Sequence, residues 1–442
     1  MREECHLPRP SVRRPHPPSN AGILRSIENH PGHPLTAATA PHERLAAGSP
    51  AFRRVNLAMF VGGYASFAML YGTQPLLPLF SAEFALDPAT ASLAVSAGTA
   101  GLALMLIPAS VLSDRFGRVR LMKLSLAIAA LVCAASAAVA DFAQLLLLRA
   151  LLGVAIAGLP AAAVAYLAEE VAPAAQGRAM GLYIGGNALG GMSGRFLAAL
   201  VTEGGSWRLA LALLGALGVV AAVLFWQRLP ASHHFRPRDA AIGRILHDAR
   251  AMLADPGLPW LFLIGFLLMG TFIALYNYLA YRLLAAPYHL GQSAIGAIYL
   301  LYLLGSAASA FAGRLADRHG RRNVLWIMLV LLAAGLAATL AAPMAAIVAG
   351  VALSTFGFFA AHSLASGWVA RRAPERPALA AALYLCGYYL GASIIGTVAG
   401  KAWSAGGWPG LVAMLMACTL AMIVAALRAR RAAIVRPAPS EY

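Results

Sequence analysis

Blocks of about 20 consecutive apolar residues, the length that carries an α-helix across a bilayer core roughly 30 Å thick, recur between residues 56 and 427 with short polar breaks. Lipid offers no partner to a backbone N–H or C=O, so segments of this kind must close their hydrogen bonds internally, as helices. A soluble fold is excluded, because 60% of the residues are apolar and only 12% are charged. The blocks fall at 56–80, 91–112, 121–140, 142–168, 177–202 and 207–227, then at 258–284, 291–313, 323–342, 344–370, 378–403 and 408–427. This predicts an all-α integral membrane protein with twelve transmembrane helices.

Between the two sets of six lies the stretch Arg228 to Pro256, with Pro230, His233, His234, Pro237, five arginines and two aspartates ahead of Asp255. It reads as a cytoplasmic linker over 229–257, carrying one short amphipathic helix near Ile242 to Leu253. The flanking six-helix bundles are expected at 53–228 and 258–430. Residues 1–52 hold Pro, His, Arg and Glu without an insertable apolar run, so a disordered cytoplasmic tail is expected there, and a second tail at 431–442.

The net charge of +17 would suggest nucleic acid in a soluble chain, so its placement decides its meaning. All but five of the 34 Lys and Arg residues belong to the tails, the linker and the loops after even-numbered blocks. The exceptions are Arg149, Arg195, Arg208, Arg282 and Lys401. Positive charge retained on one side puts both termini in the cytoplasm and assigns the basic surface to topology rather than to nucleic acid. Cys5, Cys133, Cys386 and Cys418 lack the spacing of a metal site or redox pair, and neither metal nor cofactor is expected.

The halves repeat. Asp114-Arg115-Phe116-Gly117-Arg118 returns as Asp317-Arg318-His319-Gly320-Arg321 after 203 residues. Leu70-Tyr71 answers Leu275-Tyr276, Tyr183 answers Tyr388 and Gly186 answers Gly391, all after 205 residues. A duplicated six-helix unit with like orientation yields two pseudo-symmetric bundles, an architecture that binds solute near the midplane and rocks around it.

In these repeated loops a glycine past a helix end supports a tight reversal, arginines hold the surface, and a lone aspartate among cations requires a partner. The second, Gly313-Arg314-Leu315-Ala316-Asp317-Arg318-His319-Gly320-Arg321-Arg322, closely resembles the G-x-L-A-D-R-x-G-R-R signature of the major facilitator superfamily. The first departs from it, with Ser110 in place of the opening glycine. The resemblance implies the major facilitator fold. It also implies a gate in which Asp114, with Arg115, Gly117 and Arg118, pairs with nearby arginines and the N-terminus of the eleventh helix, mirrored at Gly313, Asp317, Arg318, Gly320 and Arg321.

Arg149 followed by Gly153 resembles the family's R-x-x-x-G pattern in the fourth helix and suggests an inward-facing, transport-related arginine; snorkelling to the surface is the alternative. The fifth block carries Gly186, Gly190 and Gly194 on one stripe and Gly181 with Gly185 opposite, so two neighbours are expected to approach closely. That glycine-rich helix resembles those of proton-linked antiporters. From Glu169-Glu170-Val171-Ala172-Pro173 through Gly181-Leu182-Tyr183-Ile184-Gly185-Gly186-Asn187-Ala188, the chain resembles the YnfM-type branch of inner-membrane efflux transporters, a likeness covering about residues 52 to 430.

In the fold so implied, the first and seventh helices line the cavity. Tyr64, Tyr71 and Gln74, then Tyr276, Asn277 and Tyr278 with Tyr281, are therefore substrate candidates. Interfacial anchoring is the alternative for Tyr64 and Tyr281. Asn187 and His362 add polarity at membrane depth, where an interhelical hydrogen bond is the simpler role. No carboxylate lies at mid-span, which leaves His362 and Arg149 as the deep titratable groups. Proton-coupled efflux of a small organic solute thus comes from resemblance. The residues alone leave open a facilitator or importer without proton antiport, and a receptor that binds solute without moving it.

An enzyme is not expected, since H-E-x-x-H, G-x-S-x-G and a phosphate loop are absent. The expected partners are a small-molecule substrate, protons and the lipid bilayer of the inner (plasma) membrane. No nucleic acid is expected, and the chain is expected to act as a monomer.

Overall fold

Polar caps and prolines set where the helices begin. Ser49 Oγ accepts the Phe52 N–H at 3.1 Å ahead of Pro50, and Asp87 accepts those of Ala89 and Thr90 at 2.9 and 3.1 Å ahead of Pro88. The Thr90 hydroxyl adds to these bonds and holds the Asp87 carboxyl below its usual range. The structure, a computed structural model, describes residues 43–237 and 242–432.

The first half comprises α1 (Pro50–Tyr71), a 3-10 turn at Gln74–Leu76, α2 (Leu77–Glu83), α3 (Pro88–Phe116), α4 (Arg118–Ala135), α5 (Phe142–Ile156), α6 (Gly158–Glu170), α7 (Pro173–Gly204) and α8 (Trp207–Arg228). The linker contributes α9 (Ile242–Ala254). The second half comprises α10 (Leu258–Leu284), α11 (Gln292–Ile298), a 3-10 segment at Tyr299–Leu303, α12 (Leu304–His319), α13 (Arg321–Ala338), α14 (Met344–Arg372) and α15 (Pro377–Arg431).

Among the described residues, ten stretches are long and apolar enough to cross a membrane. Two further crossings escape a hydropathy window. The 55-residue α15 is two arms that meet at Gly406 and Gly407, where the backbone leaves helical geometry. The 32-residue α7 is long enough to span, but its glycines dilute its hydropathy. Among the described residues the fold therefore has twelve membrane helices, six on either side of α9. Leu104, Leu131, Leu147 and Leu420, each more than 60% exposed, belong to the outward apolar belt that lipid covers.

Two expectations need correcting. The repeated motif at Asp114 and Asp317 is not a loop: Asp114 and Arg115 end α3, Asp317 and Arg318 end α12, and α4 and α13 begin at Arg118 and Arg321. Only Gly117 and Gly320 leave the helix, with φ of 99° and 82°, a region that favours glycine. Amphipathic helix ends carry charge into water while staying helical, so the apolar blocks understate helix length. The last part of the N-terminal tail is also structured. Leu45 bridges Val171, its N–H donating to the Glu170 carbonyl at 2.8 Å while the Ala172 N–H donates to the Leu45 carbonyl at 3.0 Å. The expectations for residues 1–42 and 433–442 lie outside the described residues.

The halves are built alike where their glycines fall. A Cβ on Gly186 or Gly190 of α7 would run into the Phe60 or Tyr64 carbonyl of α1, and one on Gly391 of α15 into the Phe266 carbonyl of α10. Gly181 and Gly185 face open space instead, so only one α7 stripe is a packing face.

Candidate functional site

On the side of the basic motifs, α3 hands directly over to α4 through Gly117, and this turn brings three charges together. Arg118, only 4% exposed, pairs with Asp114 and with Glu169 of α6 at 3.0 Å, and it donates to Ser113 Oγ at 3.0 Å. The Asp114 partner is thus the arginine four residues on, one of the nearby arginines that the resemblance implies. Sequence reasoning passed over Glu169, although the carboxylates Glu169-Glu170 closing α6 were a signal. The counterpart in the second half differs: Arg321 Nε is buried without a hydrogen-bond partner among the described residues.

The linker is tied at both ends to this side. Glu170 accepts the His233 and His234 N–H groups at 2.8 Å and the Ser232 hydroxyl at 2.5 Å. Asp255 accepts the Gly257 and Leu258 N–H groups at 2.8 Å and the Arg372 guanidinium at 2.5 Å. Burial disfavours the Asp255 charge, but the Arg372 bond and the two amides outweigh it and hold this carboxyl below its usual range.

Arg149 points into the protein, not to the membrane surface, and is fully buried. It donates to the Ala94 and Met69 carbonyls at 3.1 and 3.0 Å, and also to the Leu70 carbonyl. Gly153, one turn on, leaves room for the Gly98 carbonyl of α3. Arg149 is therefore a clamp between α5 and the helices α1 and α3. Two other cations outside the basic loops are similarly held: Arg208 pairs with Glu83 at 2.6 Å, and Arg282 donates to the Ala341 carbonyl at 3.0 Å.

The halves meet through hydrogen bonds on the side away from the basic motifs. Ser81 and Tyr281 hydroxyls lie 2.7 Å apart, Glu203 accepts the Ser293 N–H at 2.7 Å, and the Thr397 hydroxyl donates to Ser96 at 2.7 Å. Nearer the midplane, Gln74 Nε2 donates to Asn277 Oδ1 at 2.7 Å and to the Ile273 carbonyl at 3.2 Å. Consecutive residues on α10 point 100° apart, so the trio spreads over different neighbours: Asn277 meets Gln74, while Tyr278 reaches Ser92 of α3. Tyr276 instead shares a 2.8 Å hydrogen bond with Thr355 of α14, and Tyr278 donates to the Gly396 carbonyl of α15 at 3.2 Å.

The Tyr64 hydroxyl accepts from Ser193 at 2.7 Å, while Asn187 lies against Gly63 of α1. Tyr71 is 4% exposed and packs against Arg195, one of the five cations outside the basic segments. Arg195 is 2% exposed, its guanidinium carbon 4.2, 4.9 and 5.7 Å from the ring centres of Tyr71, Tyr302 and Tyr299. Its Nε–H donates to Gln74 Oε1 and its Nη1 to the Gly191 carbonyl at 2.6 Å. Arg195 was findable, since a charge ending a glycine stripe must face protein, but its tyrosine cage joins distant elements. From Tyr302 the aromatic wall runs through Phe272 and Phe358 to His362, whose Nδ1 is 3.1 Å from the Tyr384 hydroxyl.

The Major Facilitator Superfamily profile matches residues 59–283 and again 261–442. The chain is 42% identical to the inner membrane transport protein YnfM of Escherichia coli (strain K12) over 387 residues, covering 88% of this chain and 92% of that one. It is also 42% identical to the MFS-type transporter YybF of Bacillus subtilis (strain 168) over 368 residues, covering 83% and 91%. Among solved structures, a bacterial homolog of the human lysosomal transporter Spinster, inward-facing and unoccupied, superimposes with a TM-score of 0.71 at 17% identity, covering 87% of this chain and 97% of that one.

Proposed function

Because this chain belongs to the major facilitator superfamily, whose relatives here are transporters, we propose that it moves a small organic solute by alternating access and exports it against protons. The observation that carries the alternating-access reading is the set of bonds that join the halves away from the basic motifs: Ser81–Tyr281, Glu203–Ser293 and Ser96–Thr397. Retained positive charge supports a cytoplasmic assignment for the motif side and for both termini. The inner membrane is the corresponding location, as in the name of the YnfM relative. On this reading the solute path opens toward the cytoplasm when the opposite side is joined, and the Asp114–Arg118–Glu169 cluster is the gate that rearranges when the cytoplasmic side closes.

Proton coupling needs a group that exchanges protons as access alternates. His362, on the aromatic wall and hydrogen-bonded to Tyr384, is our choice. Purified protein in proteoliposomes, given an imposed pH gradient and a panel of neutral, cationic and anionic solutes, tests this reading. Gradient-driven flux that becomes gradient-insensitive in His362→Gln is expected. Wild-type flux indifferent to the gradient removes antiport, and no flux of any solute removes transport.

A further inference from the structure

Resting on that transport reading and deepening it, we propose that the transported solute is a small organic carboxylate with an apolar or aromatic body, whose carboxylate is bound by Arg195. A guanidinium inside a membrane protein is retained only where something offsets its charge. Arg149 meets that requirement with three backbone carbonyls. Arg195 has less: beside the tyrosine rings, its acceptors are one side-chain amide and one carbonyl, and among the described residues no carboxylate pairs with it. The faces of Tyr71 and Tyr302 flank it, and both hydroxyls are buried without a hydrogen-bond partner among the described residues. A buried cation beside two idle hydroxyl donors is the complement of an anion with several lone pairs. The rings beyond Tyr302, Phe272 and Phe359, supply apolar faces suited to the rest of such a molecule.

The same geometry links binding to movement. Gln74 accepts from Arg195 while donating to Asn277 across the halves. A carboxylate accepts two parallel guanidinium N–H bonds, and with its charge it outcompetes a neutral amide for Arg195. Gln74 is then released from the arginine that orients it, and the bridge to Asn277 loosens. The bound anion therefore favours parting of the side that is closed here, which is the step an exporter requires after loading from the cytoplasm.

Thermal melting of the purified full-length protein in detergent tests the assignment, using benzoate, indole-3-acetate and hexanoate against their primary amides. The acids are expected to raise the melting temperature and the amides not. Arg195→Gln is expected to abolish the shift, and Arg195→Lys to keep part of it. In case those variants fold poorly, Tyr302→Phe removes only a hydroxyl and is expected to weaken apparent affinity about tenfold. Gln74→Leu removes the competing acceptor and is expected to tighten binding. Amides as effective as acids, no shift with any of the three acids, or weaker binding in Gln74→Leu overturns the proposal. Gradient-driven flux of a cationic or neutral solute without carboxylate-dependent melting sinks this inference alone. Carboxylate-dependent melting without flux removes the transport reading and leaves the anion site standing.

Discussion

Arg118 holds two carboxylates, and that makes Asp114 an informative residue to change. In Asp114→Asn, Glu169 still neutralises Arg118 at 3.0 Å, so the turn through Gly117 keeps its shape and the protein should accumulate normally in the membrane. What disappears is the second charge of the proposed gate, an interaction to a charged group of about 1.5–3 kcal/mol, or roughly ten- to a hundredfold in rate. Transport by this variant is expected to fall to that extent at unchanged abundance in vesicles, and normal flux would count against the gate. At this scale the sequence was partly legible. A lone aspartate among arginines had to be paired, but that Arg118 is the arginine holding it follows from how α3 turns into α4 through Gly117.

The paired helices α1 and α7 depend on glycine at one face only. A Cβ at Gly190 meets the backbone of Tyr64, which cannot swing aside as a side chain can, whereas one at Gly185 meets nothing within 4 Å. Gly190→Val is therefore expected to destabilise by at least ~1–3 kcal/mol, read as a lower melting temperature or loss of folded protein. Gly185→Ala is expected to be neutral or slightly stabilising, since alanine favours a helix by about 1 kcal/mol over glycine. Equal effects at the two positions would show that the close approach does not carry the packing. Spacing alone revealed two glycine stripes on α7, but not that one faces α1 and the other open space. A helical repeat records direction and not what lies in that direction.

For the whole molecule, the bonds across the halves on the side away from the basic motifs make a mechanical prediction. With Ser96 and Thr397 oxygens 2.7 Å apart on opposite halves, Ser96→Cys combined with Thr397→Cys, in a background lacking the native cysteines, is expected to form a disulfide. Oxidation should stop flux and reductant restore it, whereas undiminished flux through fully cross-linked protein would contradict alternating access. The sequence by itself determined the membrane class, the twelve helices, the duplication and the family, because lipid forces every backbone bond inside its own segment and so writes the architecture into local hydropathy and repeats. Only the tertiary structure decided that Ser81, Ser96 and Glu203 bond across the halves on the side away from the basic motifs, that Arg149 is held by three carbonyls while Arg195 sits in a tyrosine cage, and that Asn277 on α10 meets Gln74 of the first half. Those facts depend on contacts between elements some 50 to 300 residues apart, and no local pattern carries that information.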